Sequence, residues 1–137
     1  MTVKFKDGMI INDETLLNEL MEQLAEPMEK ITTLEEFKVI VNNRLESCTG
    51  LLLGEKNIEY SRNNDKLHNF KKSARIDNET PERALWGMWK KHIVSISDMI
   101  NDIDHGIIPT EKMMKEKFGD NINYTLLLEG LIRERYR

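Results

Sequence analysis

Thr80-Pro81-Glu82-Arg83-Ala84-Leu85-Trp86-Gly87-Met88-Trp89-Lys90-Lys91-His92-Ile93-Val94-Ser95-Ile96-Ser97-Asp98-Met99-Ile100-Asn101-Asp102-Ile103 is the stretch that decides the fold. Thr80 is an N-cap, Pro81 takes the first helical position, where its missing N–H costs nothing, and Glu82 suits the positive end of the helix dipole. Leu85, Met88, Trp89, His92, Ile96, Met99, Ile100 and Ile103 recur at helical spacing. The spacing predicts one long amphipathic helix that stops before Gly106, with Pro109 beyond it.

The same reading extends in both directions. A further helix is predicted after Thr110, running to about Arg135, with Gly119 as a possible bend. Upstream, Thr33-Leu34-Glu35-Glu36 forms a capping box, opening a helix with the stripe Phe37, Ile40, Val41, Leu45, Cys48 and Leu52. That stripe predicts a helix to about Tyr60, weakened by Gly50 and Gly54. Ser61 to Asn78 is polar and irregular, with a short helix predicted across Lys66–Arg75. Nearest the N-terminus, Leu16, Leu17, Leu20, Met21, Leu24 and Met28 predict a helix from Asn12 or Asp13 to near Glu26, before Pro27. Val3 to Ile11 reads as a short β-hairpin about Lys6-Asp7-Gly8. The expected architecture is therefore all-α: a bundle of four to five helices over residues 12–135, preceded by a hairpin at 1–11, in one domain over 1–137.

Composition narrows the function classes. Hydrophobic residues make up 39% and charged residues 32% of the 137, a globular balance. Net charge is −4, which disfavours non-specific duplex binding. The single cysteine excludes an internal disulfide and a Cys-based zinc site. On its apolar stripe, Cys48 reads as a small buried hydrophobe. The N-terminal residues have no signal-peptide core and no stretch reaches the length of a membrane span, so a cytoplasmic setting is expected. No Gly-rich phosphate loop, Rossmann fingerprint, HExxH or Gly-x-Ser-x-Gly elbow is present.

Four constellations carry chemistry. Glu55 and Glu59, four apart, would share a helical face and could hold a hard cation such as Mg²⁺, or simply be solvated. Lys91, Ser95, Asp98 and Asp102 border the apolar stripe containing His92, as a cleft lining or an ordinary wet face. Glu116, Asp120, Asn123 and Tyr124 form a polar patch on a core-rich helix, costly unless satisfied. Arg62, Lys66, His68, Lys71, Lys72 and Arg75 make a basic island on an acidic chain, with Tyr60, Asn63, Asn64, Asn69 and Phe70 interspersed. Phosphates and a base would find suitable partners there, although a solvated loop has the same composition.

Glu55-Lys56-Asn57-Ile58-Glu59-Tyr60-Ser61, Asp65-Lys66-Leu67-His68-Asn69-Phe70-Lys71, the stretch Gly87 to Ile100, and Glu116-Lys117-Phe118-Gly119-Asp120-Asn121-Ile122-Asn123-Tyr124 together resemble a group of small phage and prophage proteins of Gram-positive bacteria. These look like distant relatives of the MazG-like, all-α nucleoside triphosphate pyrophosphohydrolases. The resemblance runs from about Glu35 to Leu131. It implies an oligomeric helical bundle whose carboxylates hold Mg²⁺ while water attacks an α–β phosphate linkage. Carried over, Glu55 and Glu59 stand for the first acidic pair, and Glu116 to Asp120 resembles the family's Glu-Glu-Leu-Gly-Asp. Lys117 replaces the second acid of that segment, Asn123 replaces the next acidic position, and the family's Glu-Glu-x-x-Glu is absent.

Three readings follow. In a Mg²⁺-dependent nucleotide pyrophosphohydrolase, Glu55, Glu59, Asp98 and Asp120 would be the metal-holding catalytic set. Lys56, Arg62 and Lys91 would neutralise phosphate, and Tyr60, Asn69, Phe70 and Asn123 would touch the nucleoside. Lys66, His92, Ser95 and Tyr124 would complete the cleft. A phage nucleotide-binding protein that sequesters a nucleotide or cyclic nucleotide signal, blunting host defence, would keep the pocket without turnover; fewer acids and an added lysine suit it. An interaction module would use the hairpin, Trp86 and Trp89 as a subunit interface, unless the tryptophans belong to the core.

Overall fold

The computed structural model describes residues 30–54 and 65–136, the isolated positions Glu14, Leu16 and Met28, and the backbone of four residues near the N-terminus. Those four form β1 (Val3–Lys4) and β2 (Ile10–Ile11), antiparallel, with Val3 opposite Ile11 and Lys4 opposite Ile10. The Lys6-Asp7-Gly8 turn and the helix expected from Asn12 to Glu26 lie outside the described residues, apart from Glu14 and Leu16. Among the described residues the rest of the regular structure is α1 (Leu34–Leu53), α2 (His68–Asp77), α3 (Pro81–Asp104) and α4 (Glu111–Arg135). The architecture is all-α, and none of these helices is long and apolar enough to cross a membrane.

The helix starts follow the capping chemistry. Thr33 accepts from the Glu36 N–H, while the Glu36 carboxylate accepts from the N–H groups of Thr33 and Thr32 at 2.9 and 2.7 Å. Those two backbone donors, Thr32 first, hold the Glu36 carboxyl below the usual carboxylate range. Thr80 and Thr110 cap α3 and α4 by accepting from Arg83 and Met113. α2 closes on Asn78 in the left-handed region at φ 52°, a conformation that asparagine tolerates.

One boundary departs from expectation. α1 stops at Leu53, with Gly54 extended and its N–H bonded to the Gly50 carbonyl. A Cβ on Gly54 would collide with that carbonyl. The helical spacing continues past this point at Glu55 and Glu59, but the extended backbone of Gly54 ends the helix at Leu53, not near Tyr60.

α4 is the centre of the fold: α1 and α3 pack against it, and α2 packs against α3. Phe70 of α2, Leu85 of α3, and Tyr124, Leu127 and Leu131 of α4 form the core, flanked by Leu52, Leu67, Met88, Trp89 and Leu128. Phe70 and Leu85 are fully buried, each contributing about 1.5–3 kcal/mol of transfer free energy. Edge-to-face packing of Phe70 on Tyr124 joins α2 to α4. Trp89 stacks on the same tyrosine, and Trp86 meets Trp89 edge-on.

Candidate functional site

α3 and α4 run antiparallel through a six-residue connection, and their polar contacts fix the register. Trp89 Nε1 donates to Asn121 Oδ1 at 2.8 Å, His92 Nδ1 lies 3.3 Å from Asp120 Oδ2, and Lys117 Nζ donates to Ser95 Oγ. Asn121 Nδ2 donates to the Lys117 carbonyl at 2.7 Å and the His92 carbonyl at 3.4 Å. The His92 ring lies 5.0 Å from Tyr124, centroid to centroid. These groups form a half-buried seam of one carboxylate, one imidazole, one ammonium, one hydroxyl and one amide. Asp120 is 40% exposed and His92 20%, so solvent and small solutes reach the pair.

Four residues on this seam were anticipated from the sequence: His92, Ser95, Asp120 and, as a departure from the acidic pattern, Lys117. Asn121 was not. Its signal was available only as an amide one turn after Lys117 on a core-facing helix, and nothing local says that it accepts from an indole.

The other expected residues divide. Glu55, Lys56, Glu59, Tyr60 and Arg62 lie outside the described residues. Lys66 Nζ donates to the Gly54 carbonyl at 3.2 Å. Phe70, expected against a nucleoside, has no exposed surface. Its ring fills the core because its helix turns that face toward Leu85 and Tyr124. Tyr124 is 3% exposed and Asn123 6%, so neither presents a surface to a ligand, and Asn123 Oδ1 is buried without a hydrogen-bond partner. Glu116 points outward near Lys112, and Lys91 and Asp98 are exposed.

The register separates groups that the sequence placed in one cleft. It sets Asp98 level with Met114, about 9 Å along the axis from Asp120. Of the basic island, Lys71 meets the other end of α4. Lys71 bridges Asp65 and Glu134, and Glu134 is about 21 Å along the helix from Asp120. Two of the island's cations are thereby committed, Lys66 to a carbonyl and Lys71 to carboxylates. Burial alone would lower the Lys71 ammonium, but the Glu134 and Asp65 carboxylates outweigh it and hold it above the usual lysine value. Asp65 shows the converse: burial would raise it, and the Leu67 N–H with Lys71 brings it below the carboxylate range. Among the described residues no three His, Cys, Asp or Glu side chains converge as a metal-binding group.

Cys48 is buried at 3% exposure, its Sγ 3.8 Å from the Gly119 carbonyl, where α1 crosses α4. Burial pushes its thiol up, so it packs as a small hydrophobe. A shallow concavity of about 330 Å³ lies on α4 between Thr125, Leu128, Glu129, Ile132 and Arg133, and contains none of the expected residues. No protein family, curated protein or solved structure matches this chain.

Proposed function

We propose that the protein binds a nucleotide or nucleotide-derived anion along the α3–α4 seam without hydrolysing it. The observation that carries this reading is the Lys117 ammonium on Ser95, one turn from the His92–Asp120 pair. Where the resemblance to pyrophosphohydrolases would put a second metal-holding acid, this chain puts a cation. Its neighbouring carboxylate already has an imidazole within 3.3 Å. A site with one carboxylate and a positive neighbour attracts phosphate directly, whereas Mg²⁺ capture needs several oxygens. Lys91, exposed on α3, adds a second cation to that region. In a phage setting, holding such a molecule would remove a host signal.

The second reading is Mg²⁺-dependent pyrophosphohydrolysis, with Glu55, Glu59 and Asp120 as ligands. The 40% exposure of the Asp120 carboxylate favours it, because that group remains open to a cation.

Calorimetry over a panel of nucleotides and cyclic nucleotides, with Mg²⁺ and with chelator, tests both. Binding that persists in chelator, leaves the ligand intact and weakens at least tenfold in Lys117→Glu is expected. Release of monophosphate and pyrophosphate, lost in Asp120→Ala, would replace this reading with the second. No binding and no turnover across the panel would overturn both.

A further inference from the structure

Asp120 stands between two helices, and only one of its flanks belongs to the α3–α4 seam. On α4, the Gly119 carbonyl lies 3.8 Å from Cys48 Sγ of α1, while Asn121 meets Trp89 and His92 of α3. Each residue of a helix is turned about 100° from the last. Asp120 therefore lies on the strip of α4 that separates α1 from α3. It is the floor of a groove whose α3 wall carries His92 and Ser95, with Lys117 held on the serine.

The α1 wall is set by the same contact. Leu52, one turn beyond Cys48, reaches the core around Tyr124 and Leu127, so α1 and α4 run in the same direction. Arg44, one turn before Cys48, shares its side of α1 and is half-buried. Among the described residues Arg44 makes no ion pair and no hydrogen bond. Burial raises the Cys48 thiol, the Arg44 charge pulls it down and the Asp120 charge pushes it up, so one sulfur feels both groups across the α1–α4 crossing. Glu116, one turn before Asp120, is exposed beside Lys112 at 4.0 Å. A guanidinium partly withdrawn from water with no acceptor of its own is a ready partner for a phosphate, which it can grip with two parallel N–H groups.

Cations thus stand on both walls with a single carboxylate between them. That carboxylate repels a phosphate placed midway, so an anion that uses both walls carries its charges at two separate ends. An ionised carboxylate only accepts, and between two phosphates the donor that a nucleotide offers it is a sugar hydroxyl. Acidic side chains take ribose hydroxyls in this manner in dinucleotide sites.

We infer that Arg44 is a ligand-binding residue, the α1 wall of the seam, and that the ligand is a ribonucleotide with phosphates on both sides of its sugar, one on Arg44, one on Lys117, and a ribose hydroxyl on Asp120. This inference rests on the nucleotide reading and makes it more specific.

Calorimetry on the full chain tests it, comparing the 3′,5′-bisphosphate of each of the four ribonucleosides with its own 5′-monophosphate and with its 2′-deoxy bisphosphate. With the base held fixed, the bisphosphate should bind at least about tenfold more tightly than the monophosphate, the worth of one charge-assisted contact. The 2′-deoxy bisphosphate should lose part of that advantage. Arg44→Gln should abolish the advantage of the second phosphate while changing monophosphate binding less than about threefold, and Arg44→Lys should restore part of it. Helical circular dichroism and melting temperature, read on each variant, separate loss of the contact from loss of the fold. Equal binding of mono- and bisphosphate overturns this inference and leaves the nucleotide reading standing. So does an Arg44→Gln variant that weakens both ligands in the same proportion, which would make the guanidinium structural. Absence of binding by every nucleotide tried would overturn both.

Discussion

Asn121 of α4 receives the indole N–H of Trp89 from α3 at 2.8 Å and returns its own amide N–H groups to the carbonyls of Lys117 and His92. One side chain thus satisfies a half-buried donor on the neighbouring helix and fixes the height of α3 against α4. The His92–Asp120 and Ser95–Lys117 contacts inherit their register from it.

Asn121→Ala should therefore cost about 1–3 kcal/mol, the penalty of leaving a buried donor unpaired. Urea denaturation monitored by tryptophan fluorescence measures this. Asn121→Asp keeps the acceptor for Trp89 and should lose less. Equal losses in both variants would mean that the indole bond contributes little.

The Lys71 bridge gives stability a dependence on pH at both ends. Asp65 is lowered in the folded protein, so its contribution is complete above the ordinary carboxylate pKa and disappears as pH falls through the lowered value. Lys71 is raised, so its contribution is complete below the ordinary lysine pKa and disappears as pH rises through the raised value. Lys71→Met should cost about 1 kcal/mol at neutral pH, a charge-assisted pair discounted for partial exposure. It should also flatten the alkaline limb of a melting-temperature profile above about pH 10. An unchanged alkaline limb would assign that limb to other groups.

Cys48 should resist thiol reagents. Burial raises its thiol and closes access, so labelling by a disulfide reagent at pH 8 should follow the opening of the α1–α4 contact and become fast in urea. Cys48→Ser puts a hydroxyl into the same place and should cost about 1–3 kcal/mol. Immediate labelling of the native protein would show that α1 separates freely from α4.

Asn123 carries a cost to stability. Its Oδ1 is buried and unpaired, a standing penalty. Asn123→Leu should be neutral or stabilising by up to about 1 kcal/mol in thermal denaturation. A loss of stability above about 1 kcal/mol would show that the Asn123 amide nitrogen contributes to the fold.

The helix starts at Thr33, Thr80 and Thr110 were legible in the sequence because a cap and its partner lie three residues apart. Their bonds form whatever else the chain does. The short helix expected across Lys66–Arg75 occurs as His68–Asp77, a shift of two residues, because the apolar anchors Phe70 and Ala74 set its face. The end of α1 was not legible. The helical spacing continues at Glu55 and Glu59, whereas the stop is the extended conformation of Gly54. The candidate site was legible in its residue types more than in its grouping. His92, Ser95 and Asp120 do meet along one seam, but Phe70, Asn123 and Tyr124 are turned into the core, because polarity alone does not reveal which face of a helix its neighbour covers.

By itself, the sequence determined an all-α chain, the caps of its helices, the burial of Cys48 and the acidic balance of the whole. Each rests on contacts within a turn or two, or on composition, and needs no knowledge of what packs where. Only the tertiary structure decided the antiparallel register of α3 and α4. That register sets Lys117 on Ser95 and Asp120 beside His92, separates Asp98 from Asp120, and commits Lys71 to Glu134 at the far end of α4. Partners brought together from more than twenty residues apart carry no local signal. Their meeting is fixed by how the apolar faces of four helices share one core around Phe70, Leu85 and Tyr124.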